Sequence, residues 1–207
     1  MKLKKRNKII IQVLGVIIGM IVLLVGISLY THKDNVKNSS IAEHIFTKRV
    51  EQHRPLVTKY AKEYDMEEYI DVILAVMMQE SGGRGDDPMQ ASESKCGEIG
   101  CIDNPDDSIK QGVAYFSKMM EATNEDVPLS IQAYNFGLGF VDYAQSKERA
   151  FDQEMAIQFS QKKYDEAEDP SQYTCLRKES KEYDACYGDI YYARDVIQYQ
   201  KKFAKEE

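Results

Sequence analysis

Glu80 is an acidic side chain that continues an apolar row of the sequence. It follows Met77 by three residues and Ile73 by seven, so the three side chains share one face of a helix. Burial raises the pKa of a carboxyl group, and the negative end of the helix dipole acts in the same direction. An acid that stays protonated near neutral pH can donate a proton to a leaving-group oxygen. The alternative is a solvated acid at the end of a core helix.

Asp87 is the candidate for a second carboxylate. It lies seven residues after Glu80, beyond Gly82 and Gly83, which can adopt the left-handed conformation that ends a helix. The chain can therefore turn back and place the two carboxylates across a cleft. Asp87 would act as a base on water or stabilise positive charge. The alternative is that Asp87 is only a turn residue before Pro88. Asp86 is the second choice for the second carboxylate.

A third stretch, AYNFG, offers neutral hydrogen-bonding groups. Tyr134 has a hydroxyl and Asn135 has an amide, and together they can orient a polar substrate group such as an acetamide. Gly137 would end the helix so that both side chains project into a groove. The alternative for Tyr134 is a core aromatic residue.

Helices must position these residues. The segment from Asp65 to Glu80 is apolar on most faces, which is typical of a central helix, and Asp65 is its expected N-cap. Asn104 is the expected N-cap of a later helix. The polar loop 81–103 is too long for a simple connection. The sequence predicts an all-α domain, with room for a small β element in residues 81–102.

Three motifs occur in a recognisable order: MMQESGG at 77–83, DPMQ at 87–90 and AYNFG at 133–137. Together they resemble the lysozyme-like transglycosylase superfamily, which includes goose-type lysozymes and lytic transglycosylases. With SIKQG at 108–112, the pattern looks most like bacterial muramidase domains of Gram-positive conjugative elements. The resemblance covers roughly residues 45–205 and implies a lysozyme-like helical fold.

The resemblance implies that Glu80 is the general acid and that Asp87 is a second catalytic carboxylate. Asp87 and Pro88 stand where the transglycosylases have Gly and Leu, so the match to those enzymes is partial. A carboxyl group whose pKa is raised by apolar surroundings is the established behaviour of a lysozyme acid.

The resemblance also implies four residues around the substrate. Ser81 would support the site beside the acid, although a solvent-facing serine at a helix end is the alternative. Gln90 would line the sugar site. Tyr134 and Asn135 would face the acid and an N-acetyl sugar.

The implied activity is cleavage of peptidoglycan glycan strands between N-acetylmuramic acid and N-acetylglucosamine. No cofactor or metal is implied. One alternative is a lytic transglycosylase, in which the muramic acid 6-hydroxyl replaces water and an anhydro end forms. Another is a non-catalytic peptidoglycan-binding component of a secretion or conjugation apparatus.

The cysteines fall into two local pairs in loop-like sequence. Four cysteines allow three connectivities, and the spacing favours Cys96 with Cys101 and Cys175 with Cys186. Disulfides are typical of exported domains. A zinc site is the alternative, but the sequence lacks C-x-x-C spacing and its histidines lie upstream.

The N-terminal sequence predicts a membrane anchor. Residues 1–8 are basic and would form a cytoplasmic tail, and residues 9–30 carry no charged side chain and are long enough to span a bilayer. A stalk at 31–44 would then precede an extracellular domain at 45–207. The alternative is a cleaved signal peptide followed by secretion.

The charge distribution argues against a nucleic-acid partner. The formal net charge is −7, and the first 30 residues contribute five cations and no acid, so the remainder carries about −12. Such a domain would repel phosphates but accept an uncharged polymer such as a glycan.

Overall fold

The computed structural model describes residues 43–204, and every regular element within this range is helical. The all-α prediction is therefore confirmed for these residues. The helices in chain order are residues 43–51 (α1), Arg54–Glu63 (α2), Ile70–Glu80 (α3), Ser92–Cys96 (α4), Pro105–Ala122 (α5), Val127–Phe136 (α6), Leu138–Gln145 (α7), Gln153–Asp165 (α8), Lys178–Glu182 (α9) and Tyr192–Phe203 (α10). Short 3-10 turns lie at Glu67–Tyr69 and Pro170–Gln172.

Helix α3 lies at the centre of the main hydrophobic cluster. Its residues from Val72 to Met78 are all buried, because α10 and α2 both pack against it. Burying an aliphatic side chain of this size contributes about 1.5–3 kcal/mol, so this helix is firmly held. It ends at Glu80, and Gly82 and Gly83 then take φ values of 64° and 70°. The predicted glycine stop is confirmed.

The predicted start of the central helix was wrong. Asp65 is not its N-cap: it has a left-handed φ of 57°, and α3 begins only at Ile70. The Met66 N–H donates to the Ala61 carbonyl at 2.7 Å, which is the bond of a Schellman motif at the end of α2. Asp65 therefore ends the preceding helix, because a short polar side chain tolerates the left-handed region.

Helices α5 and α6 begin at side-chain caps. The side chain of Asn104 accepts a hydrogen bond from the Asp107 N–H, as its sequence position predicted. Asp126 caps α6 in the same way by accepting from the Leu129 N–H. Each cap satisfies a backbone donor that has no partner inside its helix. The cap thereby fixes the first turn of α6, the helix that carries Tyr134.

The loop after α3 contains a short helix rather than the β element for which the sequence left room. Within the described residues 81–102, α4 forms at Ser92–Cys96 and ends at Gly97, whose φ is 76°. The carboxylate of Asp87 accepts the backbone N–H groups of Ala91 and Ser92. These bonds satisfy donors at the start of the helix, which favours a helical turn over an extended strand.

Two disulfides hold the long loops. Cys96 is bonded to Cys101, and Cys175 is bonded to Cys186. This is the pairing that the spacing favoured. Each bond closes a short loop, so the expected entropic stabilisation is modest, about 2–3 kcal/mol apiece.

The predicted basic tail and membrane anchor, and most of the stalk, lie outside the described residues. No helix within residues 43–204 has the length and apolarity needed to cross a membrane. Backbone contacts group the described residues from Phe46 onward into one compact unit, which contains all the predicted site residues.

Candidate active site

Glu80 borders a cavity of about 450 Å³ at the end of α3. Tyr134 and Asn135 from α6 line the same cavity, as does Gln90 from the loop after α3. The structure therefore brings together four of the six residues predicted for the site. The described residues that line the cavity are Glu80, Gln90, Glu93, Ser94, Tyr115, Tyr134, Asn135, Phe136, Gly137 and Tyr187.

The carboxyl group of Glu80 has an elevated pKa. Burial is the largest cause, and the negative charges of Asp87 and Asp189 act in the same direction, so the pKa rises to about 7. A hydrogen bond from Tyr192 opposes this increase because it stabilises the charged form. A carboxyl group with this pKa is about half protonated at pH 7.

Tyr192 is a site residue that the sequence analysis did not single out. Its hydroxyl donates a hydrogen bond to Oε1 of Glu80, and its side chain is buried on α10. The two residues are 112 positions apart in the chain. Tyr192 was one of many tyrosines, and no local pattern distinguished it.

Asp87 has a different environment from Glu80. Its Oδ1 accepts hydrogen bonds from the Ala91 N–H at 2.8 Å and the Ser108 hydroxyl at 2.6 Å. Its Oδ2 accepts from the N–H and the hydroxyl of Ser92, at 3.1 and 2.6 Å. Burial alone would raise the pKa of Asp87, but these four donors outweigh it and lower the pKa. Asp87 is thus held ionised and is absent from the residues that line the cavity.

Ser81 stabilises the loop that follows α3 and does not line the cavity. Its hydroxyl donates to the Pro88 carbonyl at 2.8 Å and accepts from the Arg84 N–H at 3.0 Å. Gln90 does line the cavity, and its side-chain amide donates to the Asp87 carbonyl at 2.8 Å. Its φ of 48° is unusual for a residue with a side chain, so the loop conformation is tightly constrained at this point.

The side chain of Tyr134 is nearly buried, with 8% exposed, and it packs edge-on against Tyr115. Its hydroxyl donates to the Met89 carbonyl at 3.0 Å. Because Met89 belongs to the loop, this bond ties α6 to the segment between Ser81 and α4. Tyr134 thus packs in the core and also forms a wall of the cavity.

Asn135 is oriented by the backbone of a distant loop. Its Oδ1 accepts the Asp189 N–H at 2.8 Å, which leaves the amide nitrogen to serve as a donor. Gly188 allows this approach: a Cβ there would lie 2.7 Å from Asn135 Oδ1, and the φ of Gly188 is 61°. These loop residues were not predicted from the sequence.

The carboxylate of Asp189 is held by an arginine. Arg177 donates from Nε and Nη2 to the two oxygens of Asp189, at 2.7 and 2.6 Å. The same Nη2 also donates to Asp195 on α10. The disulfide between Cys175 and Cys186 closes the segment that carries Arg177. The disulfide and the ion pairs of Arg177 therefore stabilise the same segment. Among the described residues, no group of three or more His, Cys, Asp or Glu side chains is arranged to hold a metal ion.

Comparison with protein families gives a match over most of the chain. The family model described as "Lysozyme-like" matches residues 47–200. A Staphylococcus aureus protein of known structure, described as similar to a lipoprotein of the NLP/P60 family, superposes with a TM-score of 0.66 at 35% identity. That match covers 77% of this chain and 55% of the other.

Curated relatives come from Gram-positive bacteria. The uncharacterized membrane protein YocA of Bacillus subtilis is 34% identical over 173 residues, which is 81% of this chain and 76% of that protein. The bifunctional muramidase/DL-endopeptidase CwlT of Bacillus subtilis is 40% identical over 111 residues. This match covers 54% of the present chain but only 34% of CwlT. A pneumococcal vaccine antigen A homolog of Streptococcus pyogenes is 35% identical, over 50% of this chain and 54% of that protein.

Proposed function

Because this chain belongs to the lysozyme-like family, we propose that it cleaves the glycan strand of peptidoglycan with Glu80 as the general acid. The observation that carries the proposal is the raised pKa of Glu80, to about 7, at the wall of a cavity. A protonated carboxyl group can donate to the glycosidic oxygen while the sugar develops positive charge. The bond cleaved lies between N-acetylmuramic acid and N-acetylglucosamine.

Tyr192 fixes the acid in position. Its hydroxyl donates to Oε1 of Glu80, so the proton of the acid is on Oε2. The same bond prevents the carboxyl group from rotating freely. After the proton has left, the same bond stabilises the carboxylate. Positioning of this kind lowers the entropic cost of reaching the reactive geometry.

Two neutral residues contact the substrate. Asn135 presents its amide nitrogen, since its oxygen is occupied by the Asp189 N–H, and it therefore suits a carbonyl acceptor such as that of an acetamido group. Gln90 lines the same cavity from the loop. Tyr134 forms the cavity wall between them, and Ser81 supports the loop from behind.

Asp87 supplies a fixed negative charge. Two roles were expected for it, as a base on water or as a stabiliser of the oxocarbenium-like transition state. Four donors already occupy its oxygens, which supports the second role. Its charge also contributes to the raised pKa of Glu80. An ionised carboxylate stabilises a developing positive charge electrostatically, and Asp87 would do so although it does not line the cavity.

The relative whose name includes muramidase supports hydrolysis as the outcome of this reaction. Thiol-protease chemistry is not part of the proposal, because the four cysteines are paired in disulfides. The uncharged stretch at 9–30 after a basic segment supports an extracellular domain on a membrane anchor. A relative named as a membrane protein is in accord with this placement.

Mass spectrometry of a peptidoglycan digest tests the proposal. The full-length chain should release glycan fragments with reducing muramic acid ends, and Glu80→Gln should release none. Anhydro-muramic ends would instead show transglycosylation. A wild-type chain that binds peptidoglycan without cutting it, as tightly as Glu80→Gln does, would show a non-catalytic role such as a component of a secretion or conjugation apparatus.

A further inference from the structure

A second carboxylate borders the cavity and has no part in proton donation by Glu80. Glu93 lies in the first turn of α4 and lines the same cavity as Glu80. These two are the acidic residues among the described residues that form its lining. Glu93 is exposed, and within residues 43–204 its carboxylate forms no hydrogen bond or ion pair. Glu93 is therefore free to interact with a molecule in the cavity.

Glu93 shares the cavity lining with two tyrosines, Tyr115 and Tyr187. Burial raises the pKa of both Tyr115 and Tyr187, and the negative charge of Glu93 adds to the increase in each case. Both tyrosines line the cavity. Glu93, Tyr115 and Tyr187 therefore border the same space.

Hydrolysis requires an acceptor for a proton of the attacking water. Glu80 begins the reaction protonated, so it cannot accept that proton in the same step. Each oxygen of Asp87 already accepts two hydrogen bonds. Glu93 is the remaining carboxylate at the cavity.

We propose that Glu93 accepts the proton of the attacking water, an inference that rests on the proposed hydrolytic function. The Glu80 proton passes to the glycosidic oxygen as the bond from that oxygen to the anomeric carbon breaks. The water oxygen bonds to the anomeric carbon from the opposite face, and its proton passes to Glu93. One water is consumed, and proton exchange with solvent restores both carboxyl groups.

This arrangement predicts the stereochemistry of the product. Water that attacks from the face opposite the leaving oxygen inverts the configuration at the anomeric carbon. A cavity of about 450 Å³ bordered by both acids offers space for a sugar and a water molecule. The product should therefore have the anomeric configuration opposite to that of the substrate.

Asp87 positions Glu93 in this scheme. The carboxylate of Asp87 bonds the backbone N–H groups of Ala91 and Ser92, immediately before Glu93 in the chain. The Cys96–Cys101 disulfide constrains the other end of α4. The acceptor is thus carried on a short helix that is held at both ends.

The test compares Glu93→Gln and Glu93→Ala with Glu98→Gln in the full-length chain. Glu98 is an exposed acid in the Cys96–Cys101 loop that follows α4, and it does not line the cavity, so its variant is the matched control. Loss of a general base costs about 10²–10⁴-fold in rate, and both Glu93 variants should show it while Glu98→Gln retains wild-type hydrolysis. Sodium azide needs no base, so it should restore turnover of Glu93→Ala and give a glycosyl azide of inverted configuration.

The results separate this inference from the proposed function. Reducing ends from the wild type, together with wild-type rates in Glu93→Gln, would overturn the role of Glu93 alone. A Glu93→Ala variant that is slow but not rescued by azide would overturn it as well. Anhydro ends from the wild type would overturn the inference and leave glycan cleavage in place. A wild type that cuts no glycan would remove the proposed function itself.

Discussion

The hydroxyl of Tyr192 on α10 donates a hydrogen bond to the carboxyl group of Glu80 at the end of α3. The bond joins two helices that pack directly against each other in the core. The acid therefore has one fixed oxygen, while burial and two neighbouring carboxylates raise its pKa. Tyr192 therefore affects both the orientation of the acid and its pKa.

Replacing Tyr192 with Phe should change the pH profile of glycan cleavage. The hydroxyl lowers the pKa of Glu80, so its removal should raise that pKa above about 7. The alkaline limb of kcat/KM should then move upward by about 1 pH unit, as expected for loss of one hydrogen bond to a charged group. Tyr199→Phe on the same helix is the control. An alkaline limb that stays in place would contradict a pKa-lowering role for the Tyr192 hydroxyl.

Replacing Glu80 with Gln should stabilise the protein at alkaline pH and leave it unchanged in acid. The pKa of Glu80 rises from 4.5 to about 7 on folding, so between these values the folded state binds more protons than the unfolded state. The stability of the wild type therefore falls as pH increases through this window. At pH 8 the variant should be more stable by about 2–3 kcal/mol, measured by urea denaturation. A difference between variant and wild type that does not change from pH 4 to pH 8 would show that the Glu80 carboxyl group is not buried.

Replacing Asp87 with Asn should disorganise the loop that carries α4. An amide has one acceptor oxygen, whereas Asp87 accepts four hydrogen bonds through two oxygens. The free energy of unfolding should fall by about 1.5–3 kcal/mol, and glycan cleavage should be lost. Asp86→Asn, at the exposed neighbouring acid, is the matched control and should retain both. Equal loss of activity in the two variants would contradict a role that is specific to Asp87.

Replacing Gly188 with Ala should weaken substrate binding. A Cβ at this position would lie 2.7 Å from Asn135 Oδ1 and would displace the side chain that Asp189 orients. Gly85→Ala is the matched control, because Gly85 also has a positive φ, but a Cβ added there would meet no atom within 4 Å. Both variants should lose about 1 kcal/mol of stability from backbone strain, and Gly188→Ala should lose more because its Cβ would also lie 2.7 Å from Phe136 Cε1.

Only Gly188→Ala should raise KM for glycan fragments, because only that substitution reaches Asn135. Steady-state kinetics on soluble fragments would measure the difference. A KM that rises equally in both variants would refute a specific role for the close contact between Gly188 and Asn135.

The local sequence was sufficient for much of the fold. The glycine stop after Glu80 and the cap at Asn104 were predicted correctly, because each depends on a few neighbouring residues. The same holds for the two disulfides, whose partners are close in the chain. Asp65 was misplaced because a residue at a helix boundary can end one helix or begin the next, and packing decides between them.

The sequence alone indicated that Glu80 would be an acid on an apolar row at the end of a central helix, since apolar periodicity and the following glycines are local properties. It also placed Tyr134, Asn135 and Gln90 near that acid through their motifs. Only the tertiary structure decided that Tyr192 would bond Glu80 and that Asp189 would orient Asn135, across 112 and 54 residues. It also decided that Asp87 would hold a helix while Glu93 borders the cavity. Hydrogen bonds between distant residues depend on how helices pack, and no local pattern encodes that packing.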